Sequence, residues 1–530
     1  MYDVLIKNGT VIDGSGKPMF RADIGIKEDV IAYIGDLSRE AAPQVIDASG
    51  QYVAPGFIDV NNHSDVYWQL LSHPELESMF RQGVTTIIGG NAGSSLAPFV
   101  THDTIRSIQK WTDVEKISFN WLSMKEFLNA LEKKRLTINF ATLVGHGTLR
   151  RGVLGDVNRP VKQGDIDDMK HLLSRAMKEG AIGFSTGLRY THAKSATASE
   201  IMDLTETAAD FDGVYSTYLR NESDGLVESI EEAIRTAQET KAGLHISHLK
   251  ASGQKYWHLF EEALNCIEAA ASGGLSISFD IYPYTTTGSV LYTFLPDWVT
   301  EGGRKVMLRQ LRDVRVRNKV VEEMRRSGND YTSMTILSSS LNKMMPRRHI
   351  IDIAAIQKKS PEEVIIDVLL ASDGRAIVSI EAISGHNMRH GIQHPFSIIS
   401  SNGSGYSVDH KETGDQVHPR NFGTFLWVLG RYVRDEKLLS WEEAVHKMTG
   451  KPAEVFHLEK RGLLQKGYFA DVVVFDPERI IDIATAENPY QYPLGIHDVV
   501  VNGHPVLLSG RFSGIHSGRV LRRKQSLFSW

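Results

Sequence analysis

At 530 residues the chain is too long for one ordinary hydrophobic core, so two or more structural units are expected. Lys and Arg number 59 against 64 Asp and Glu, and the resulting net charge of −5 argues for no nucleic-acid or membrane partner. The single cysteine, Cys266, excludes an intramolecular disulfide and any multi-cysteine metal site.

The start, MYDVLIKNGTVIDG, alternates like a strand and lacks a signal-peptide pattern, and no apolar run is long enough to span a bilayer. A cytoplasmic protein with a small-molecule substrate is expected, with the oligomeric state open. Tyr2 to Ile34 reads as short strands with turns. Similar strands recur near the C-terminus, at Phe469 to Phe475 and Asp498 to Gly503. Neither set buries both faces alone. Residues 1–54 and 453–530 are therefore expected to build one small β-sandwich, with residues 55–452 inserted between them.

The middle alternates short apolar runs with longer amphipathic segments. The runs lie near Phe57–Val60, Thr85–Ile88, Phe140–Val144, Ile182–Ser185, Val214–Tyr218, Leu244–Ser247, Ile277–Tyr282 and Ser397–Ser400. Eight such units predict an α/β fold, a (β/α)8 TIM barrel. Polar residues follow nearly every run: Asn61 and His63, Asn91, His146, Thr186, Tyr218 with Arg220, His248, Asp280 and Asn402. In a barrel those ends share one mouth, where active sites lie. Residues 285–394 are long for one connection and predict a lid or subdomain over the mouth. The basic stretch Arg304 to Arg326 has interleaved acidic residues and reads as a solvated helix face. Cys266 sits in a helical pattern and reads as core. His386, His390 and His394 read as a surface loop or helix rather than a metal cluster.

Several motifs occur in combination: Gly56-Phe57-Ile58-Asp59, Gly89-Gly90-Asn91-Ala92-Gly93, Gly145-His146-Gly147-Thr148, Ser185-Thr186-Gly187-Leu188, Ile246-Ser247-His248-Leu249-Lys250, Asp280-Ile281-Tyr282-Pro283 and His418-Pro419-Arg420. With these the chain resembles, nearly end to end, the amidohydrolase superfamily, and within it the N-acyl-D-amino-acid deacylases (D-aminoacylases). The resemblance implies the same barrel and terminal β domain, and hydrolysis of a C–N bond.

It also implies six zinc-ligand positions, which fall here on Asn61, His63, Ala92, Tyr218, His248 and Asn402. Only His63 and His248 keep a good ligand. Ala92 has no ligating atom, and Asn61 and Asn402 offer neutral amide oxygens. Tyr218 would have to lose a proton whose unperturbed pKa is about 10. The position of Asn402 is also that of the family's general-base aspartate, and an amide cannot take that proton. No metal or other cofactor is expected, zinc being at most weakly held by His63 and His248. These two, freed from metal duty, become candidate acids or bases with Lys250. By resemblance Lys250 and Tyr282 hold the substrate's carboxylate and acyl portion. Ser289 and Arg220 with Glu222 line the mouth, and Tyr218, Asn402 and Asn61 complete the pocket. Asp65 is near enough in sequence to orient His63, and Glu222 beside Arg220 reads as an ion pair.

Three readings follow. The first is a metal-independent enzyme on this scaffold acting on a small amide- or carboxylate-bearing substrate, such as an N-acyl amino acid. The second is a metal-dependent N-acyl-D-amino-acid deacylase with an altered site. The third is a non-catalytic binding protein that keeps the pocket.

Overall fold

A computed structural model describes residues 1–101, 119–155, 159–190, 192–300, 303–327, 329–339 and 348–523. The two chain ends meet in one nine-stranded sheet. Its junction is Tyr52–Pro55, which runs parallel to Val4–Val11 and antiparallel to Val472–Phe475, with Ala54 opposite Val473. Side chains alternate across a strand. Val472 and Val474 therefore pack with Val4, Ile6, Ile24 and Ile26, while Val473 and Phe475 point into the main core beside the barrel. Burial on both faces explains why Val472–Phe475 is an unbroken apolar run.

All eight apolar runs form the barrel strands: β1 (Phe57–Asp59), β2 (Val84–Gly89), β3 (Asn139–Thr142, continued by Val144–Gly145), β4 (Gly183–Gly187), β5 (Val214–Tyr218), β6 (Leu244–Ile246), β7 (Ile277–Ile281) and β8 (Ser397–Ile399). Neighbours pair in parallel from β1 to β3 and from the second half of β3 through β8. The break in β3 falls at Leu143: the first half pairs with β2 and the second with β4. The ring closes beyond the strand ends, where Asn62 bridges Gly403 and the His63 N–H donates to the Gly403 carbonyl at 2.7 Å.

The long connection after β7 carries its own three-stranded antiparallel sheet, Thr286–Val290 and Thr335–Ser339 flanking Ala376–Glu381. Leu291, Leu308, Val320, Ile365, Leu369 and Val378 form a core separate from the barrel's, so the insertion is a subdomain rather than a loop. The basic helices Gly303–Arg312 and Val314–Ser327 are tied by surface ion pairs, among them Arg317–Asp367 at 2.7 Å and Arg304–Asp373 at 2.8 Å. Helix Gly385–Gln393 carries His386 and His390, and His390 meets Glu261 at 3.2 Å on the surface. His394, at its C-terminus, is buried against Glu268 at 3.1 Å. Cys266 is partly buried in helix Leu259–Ser272 and packs on the main core.

Candidate active site at the barrel mouth

The strand ends and the inserted subdomain enclose a cavity of about 1300 Å³. His63, Tyr218, His248, Lys250, Ser289 and Asn402 all line it. Six sequence-predicted residues thus meet at one place: five lie at or beyond the C-terminal ends of parallel strands, which share one rim, and Ser289 comes from the subdomain's sheet.

His248 and Lys250 leave β6 side by side, 6 % and 5 % exposed. The Lys250 ammonium donates to the Glu222 carboxylate and lies 2.9 Å from His248 Nδ1, while Glu222 Oε1 is 3.2 Å from that nitrogen. Burial pushes the Glu222 carboxyl up, but Lys250, His248 and Arg189 outweigh it and bring it down to about 2. Burial, reinforced by the Lys250 cation, lowers His248 below its ordinary value. A neutral His248 that accepts from Lys250 at Nδ1 carries its proton on Nε2. The Tyr218 ring packs edge-on against His248 with centroids 4.5 Å apart, and burial holds its hydroxyl well above the usual phenol range.

Across the mouth His63 Nε2 is 2.8 Å from Asn402 Oδ1. The amide oxygen accepts, so Nε2 donates and Nδ1 is the ring's acceptor. Asp65 accepts from the Gly90 and Val66 backbone N–H groups and so fixes the turn that holds Asn91 and Ala92. Beneath the mouth Asn61 Nδ2 donates to Asp280 at 3.3 Å, and Asp280 also accepts from Ser400 and pairs with His245 at 3.0 Å. The Asn61 Oδ1 is buried with no partner.

Several expectations change on contact with the geometry. Arg220 does not reach the cavity: its guanidinium forks onto Glu232 at 2.7 and 3.0 Å and donates to the Lys194 and Ala196 carbonyls. Its neighbour Glu222 points the other way and pairs with Lys250, so the expected Arg220–Glu222 ion pair does not form. Lys250, expected to hold the substrate's carboxylate, is already matched by Glu222. His146 does not approach the mouth but is fully buried against Glu200 at 2.8 Å.

Two cations were not foreseen. Arg420 follows β8, is 8 % exposed and lines the cavity. Its Nε and Nη1 have no hydrogen-bond partner, and its guanidinium lies over the Tyr282 ring at 5.3 Å from the centroid. The Tyr282 hydroxyl is also buried and unpartnered. Next to it, the Arg420 N–H donates to His418 Nδ1, and burial with the adjacent guanidinium drives His418 well below the ordinary histidine value. Arg189, after β4, lines the cavity as well. In the sequence Arg420 stood within the motif His418-Pro419-Arg420 without an assigned role, and Arg189 directly behind Gly187-Leu188.

The amidohydrolase family model matches residues 44–287 and 404–507. The chain belongs to the amidohydrolase family. The unmatched interval between the two parts contains most of the inserted subdomain. The D-aminoacylase of Alcaligenes xylosoxydans xylosoxydans is 37 % identical over 522 residues, 98 % of each chain. The N-acyl-D-aspartate deacylase of the same organism is 32 % identical over 98 % of this chain and 95 % of its own. Among solved structures, the N-acyl-D-glutamate deacylase of Bordetella bronchiseptica, complexed with zinc and a phosphonate mimic of the tetrahedral intermediate, superposes with a TM-score of 0.84. It is 31 % identical and covers 98 % of this chain and 100 % of its own.

The residues present in this amidohydrolase do not fit a zinc ion. Zinc takes about four imidazole, thiolate or carboxylate ligands. Here Ala92 offers no donor, and the Tyr218 hydroxyl is held in its neutral form by burial. Asn61 binds Asp280, and an ammonium stands 2.9 Å from His248 Nδ1. Among the described residues no three His, Cys, Asp or Glu side chains converge as a metal site.

Proposed function

We propose that this protein hydrolyses the amide bond of an N-acyl amino acid or a closely related carboxylate, with proton transfer by side chains in place of metal chemistry. The observation that carries the substrate class is Arg420. A guanidinium cation that is nearly buried, unpartnered and stacked on an aromatic ring is costly unless an anion completes it. A substrate carboxylate held at the cavity face of Arg420 supplies that anion through charge-assisted hydrogen bonds.

With the carboxylate at Arg420, the amide falls toward the end of β6. The His248 Nε2–H then donates to the amide oxygen, a role a neutral imidazole fills when burial and a neighbouring cation depress its pKa. Lys250 and Glu222 hold that imidazole in orientation and tautomer. His63 Nδ1 takes a proton from water as the water oxygen bonds to the acyl carbon. It returns the proton to the leaving nitrogen as the C–N bond breaks, giving an acid and a free amino acid. The test is turnover of a panel of N-acyl amino acids in both enantiomers, before and after treatment with a strong chelator. Turnover that survives chelation and is lost in His248→Ala supports this reading.

A second reading is favoured by the relatives: the Bordetella deacylase binds zinc, and the D-aminoacylase shares 37 % identity over nearly the full chain. In that reading the protein is a metal-dependent deacylase with an altered site, and chelation abolishes turnover.

A further inference from the structure

The second unforeseen cation carries the substrate class further. Among the described residues Arg189 has no hydrogen bond or ion pair, although it lines the cavity and is only partly exposed. Burial lowers its pKa, but opposite charges nearby, Glu222 and Asp297 among them, outweigh burial and raise it. The carboxylate of Glu222 is already committed to Lys250 and His248. Among the described residues the mouth therefore holds one acid–base cluster matched within itself and two guanidinium groups with no direct ion pair, Arg189 having Glu222 and Asp297 only as more distant opposite charges. Each of these cations loses hydration when a ligand covers it, and a negative charge on the ligand offsets that cost.

The two cations sit on opposite sides of the reacting groups. Arg420 follows β8 and lies over Tyr282 at the end of β7. Arg189 follows β4, whose last residue Gly187 pairs with Tyr218 at the end of β5, and both Arg189 and Tyr218 line the cavity. His248 and Lys250 stand between them at the end of β6. A substrate anchored by its α-carboxylate at Arg420, with its amide at His248, extends its acyl end toward Arg189.

Building on the preceding reading of the site, we propose that Arg189 selects an acyl group with a terminal carboxylate of its own. The substrate is then the half-amide of a short dicarboxylic acid with an amino acid, an anion at each end. Arg189 is the specificity-determining residue for the acyl end and takes no part in bond breaking.

The test compares N-succinyl-leucine, in both enantiomers, with its uncharged isostere N-succinamoyl-leucine and with N-acetyl-glutamate, which places the second carboxylate on the amino-acid side. Wild type should favour the succinyl over the succinamoyl compound by about 10- to 100-fold in kcat/KM, the worth of a charge-assisted hydrogen-bond pair. Arg189→Met should remove that preference, lowering the succinyl compound by about 10- to 100-fold more than the succinamoyl compound, and Arg189→Lys should restore part of it. Arg420→Gln should lower both compounds alike. The inference is overturned if Arg189→Met lowers both equally, if wild type prefers the neutral isostere, or if N-acetyl-glutamate outcompetes N-succinyl-leucine. Calorimetric titration with N-succinyl-leucine separates the two proposals if nothing turns over. Binding that depends on both arginines keeps the dianion site while rejecting hydrolysis, and no binding rejects both.

Discussion

At the scale of single residues, the site is defined by which charges are already matched. Glu222 neutralises Lys250, whereas Arg420 has two nitrogens with no acceptor, so Arg420 rather than Lys250 is the anchor for a carboxylate. Arg420→Gln should lower kcat/KM about 100-fold, mainly through KM, because it removes binding shared by ground and transition states. A change confined to kcat would count against an anchoring role. His248→Ala should reduce kcat by about 100- to 10,000-fold with little effect on KM, as measured by steady-state kinetics on the same substrate. Unchanged kcat would remove His248 from the chemistry. Much of this was legible in the sequence. His63, Tyr218, His248, Lys250 and Asn402 were each marked by a strand end and do meet at the mouth. Arg189 and Arg420 were not, because being unpartnered is a property of what surrounds a guanidinium, and no local pattern records it. Arg220 and Glu222 were paired wrongly for a related reason: both lie beyond the end of β5, where the chain leaves the strand and nothing in the sequence sets which way either side chain turns.

At the scale of elements, the helix His146–Leu154 is clamped to helix Ala198–Ala209 by a buried cluster. Glu200 accepts from Arg150 at 2.6 Å and meets His146 at 2.8 Å, all three being almost fully buried. Burial pushes the Glu200 carboxyl up, yet His146 and Arg150 outweigh it, and its pKa in the folded state lies below the ordinary value. The resulting stabilisation is therefore fully present above the unfolded carboxylate pKa of about 4.3, and is lost as pH falls through the lowered folded value. Glu200→Gln should destabilise the protein by about 3 kcal/mol at pH 7, since it leaves Arg150 buried without its counter-ion. In urea unfolding the gap from wild type should narrow below about pH 4. A gap constant down to pH 3 would contradict the ion-pair origin. The sequence showed where this histidine sits but not where it points, because helix His146–Leu154 begins at His146 itself and turns the side chain away from the strand's direction.

At the scale of the whole molecule, the end sheet and the barrel are joined by buried polar contacts. Arg461, 5 % exposed, donates to Asp471 and to Asn502 Oδ1 at 2.8 Å. Asn502 Nδ2 donates in turn to Asn139 Oδ1, on β3, at 2.8 Å. Arg461→Ala should cost about 3–5 kcal/mol and lower a single cooperative unfolding transition. Two separate transitions would show that sheet and barrel unfold independently. The barrel was readable because eight apolar runs of strand length recur along the chain, and all eight became strands. The subdomain's own sheet was not, because Thr286–Val290 is mostly half-buried and carries no apolar run to mark it. We propose that the mouth works with side-chain cations and imidazoles, whereas the Bordetella relative was solved in complex with zinc. Elemental analysis of protein purified without added metal or chelator tests this most directly. The expected result is far less than one zinc per chain after dialysis. One tightly held zinc per chain, lost in both His63→Ala and His248→Ala, would contradict it.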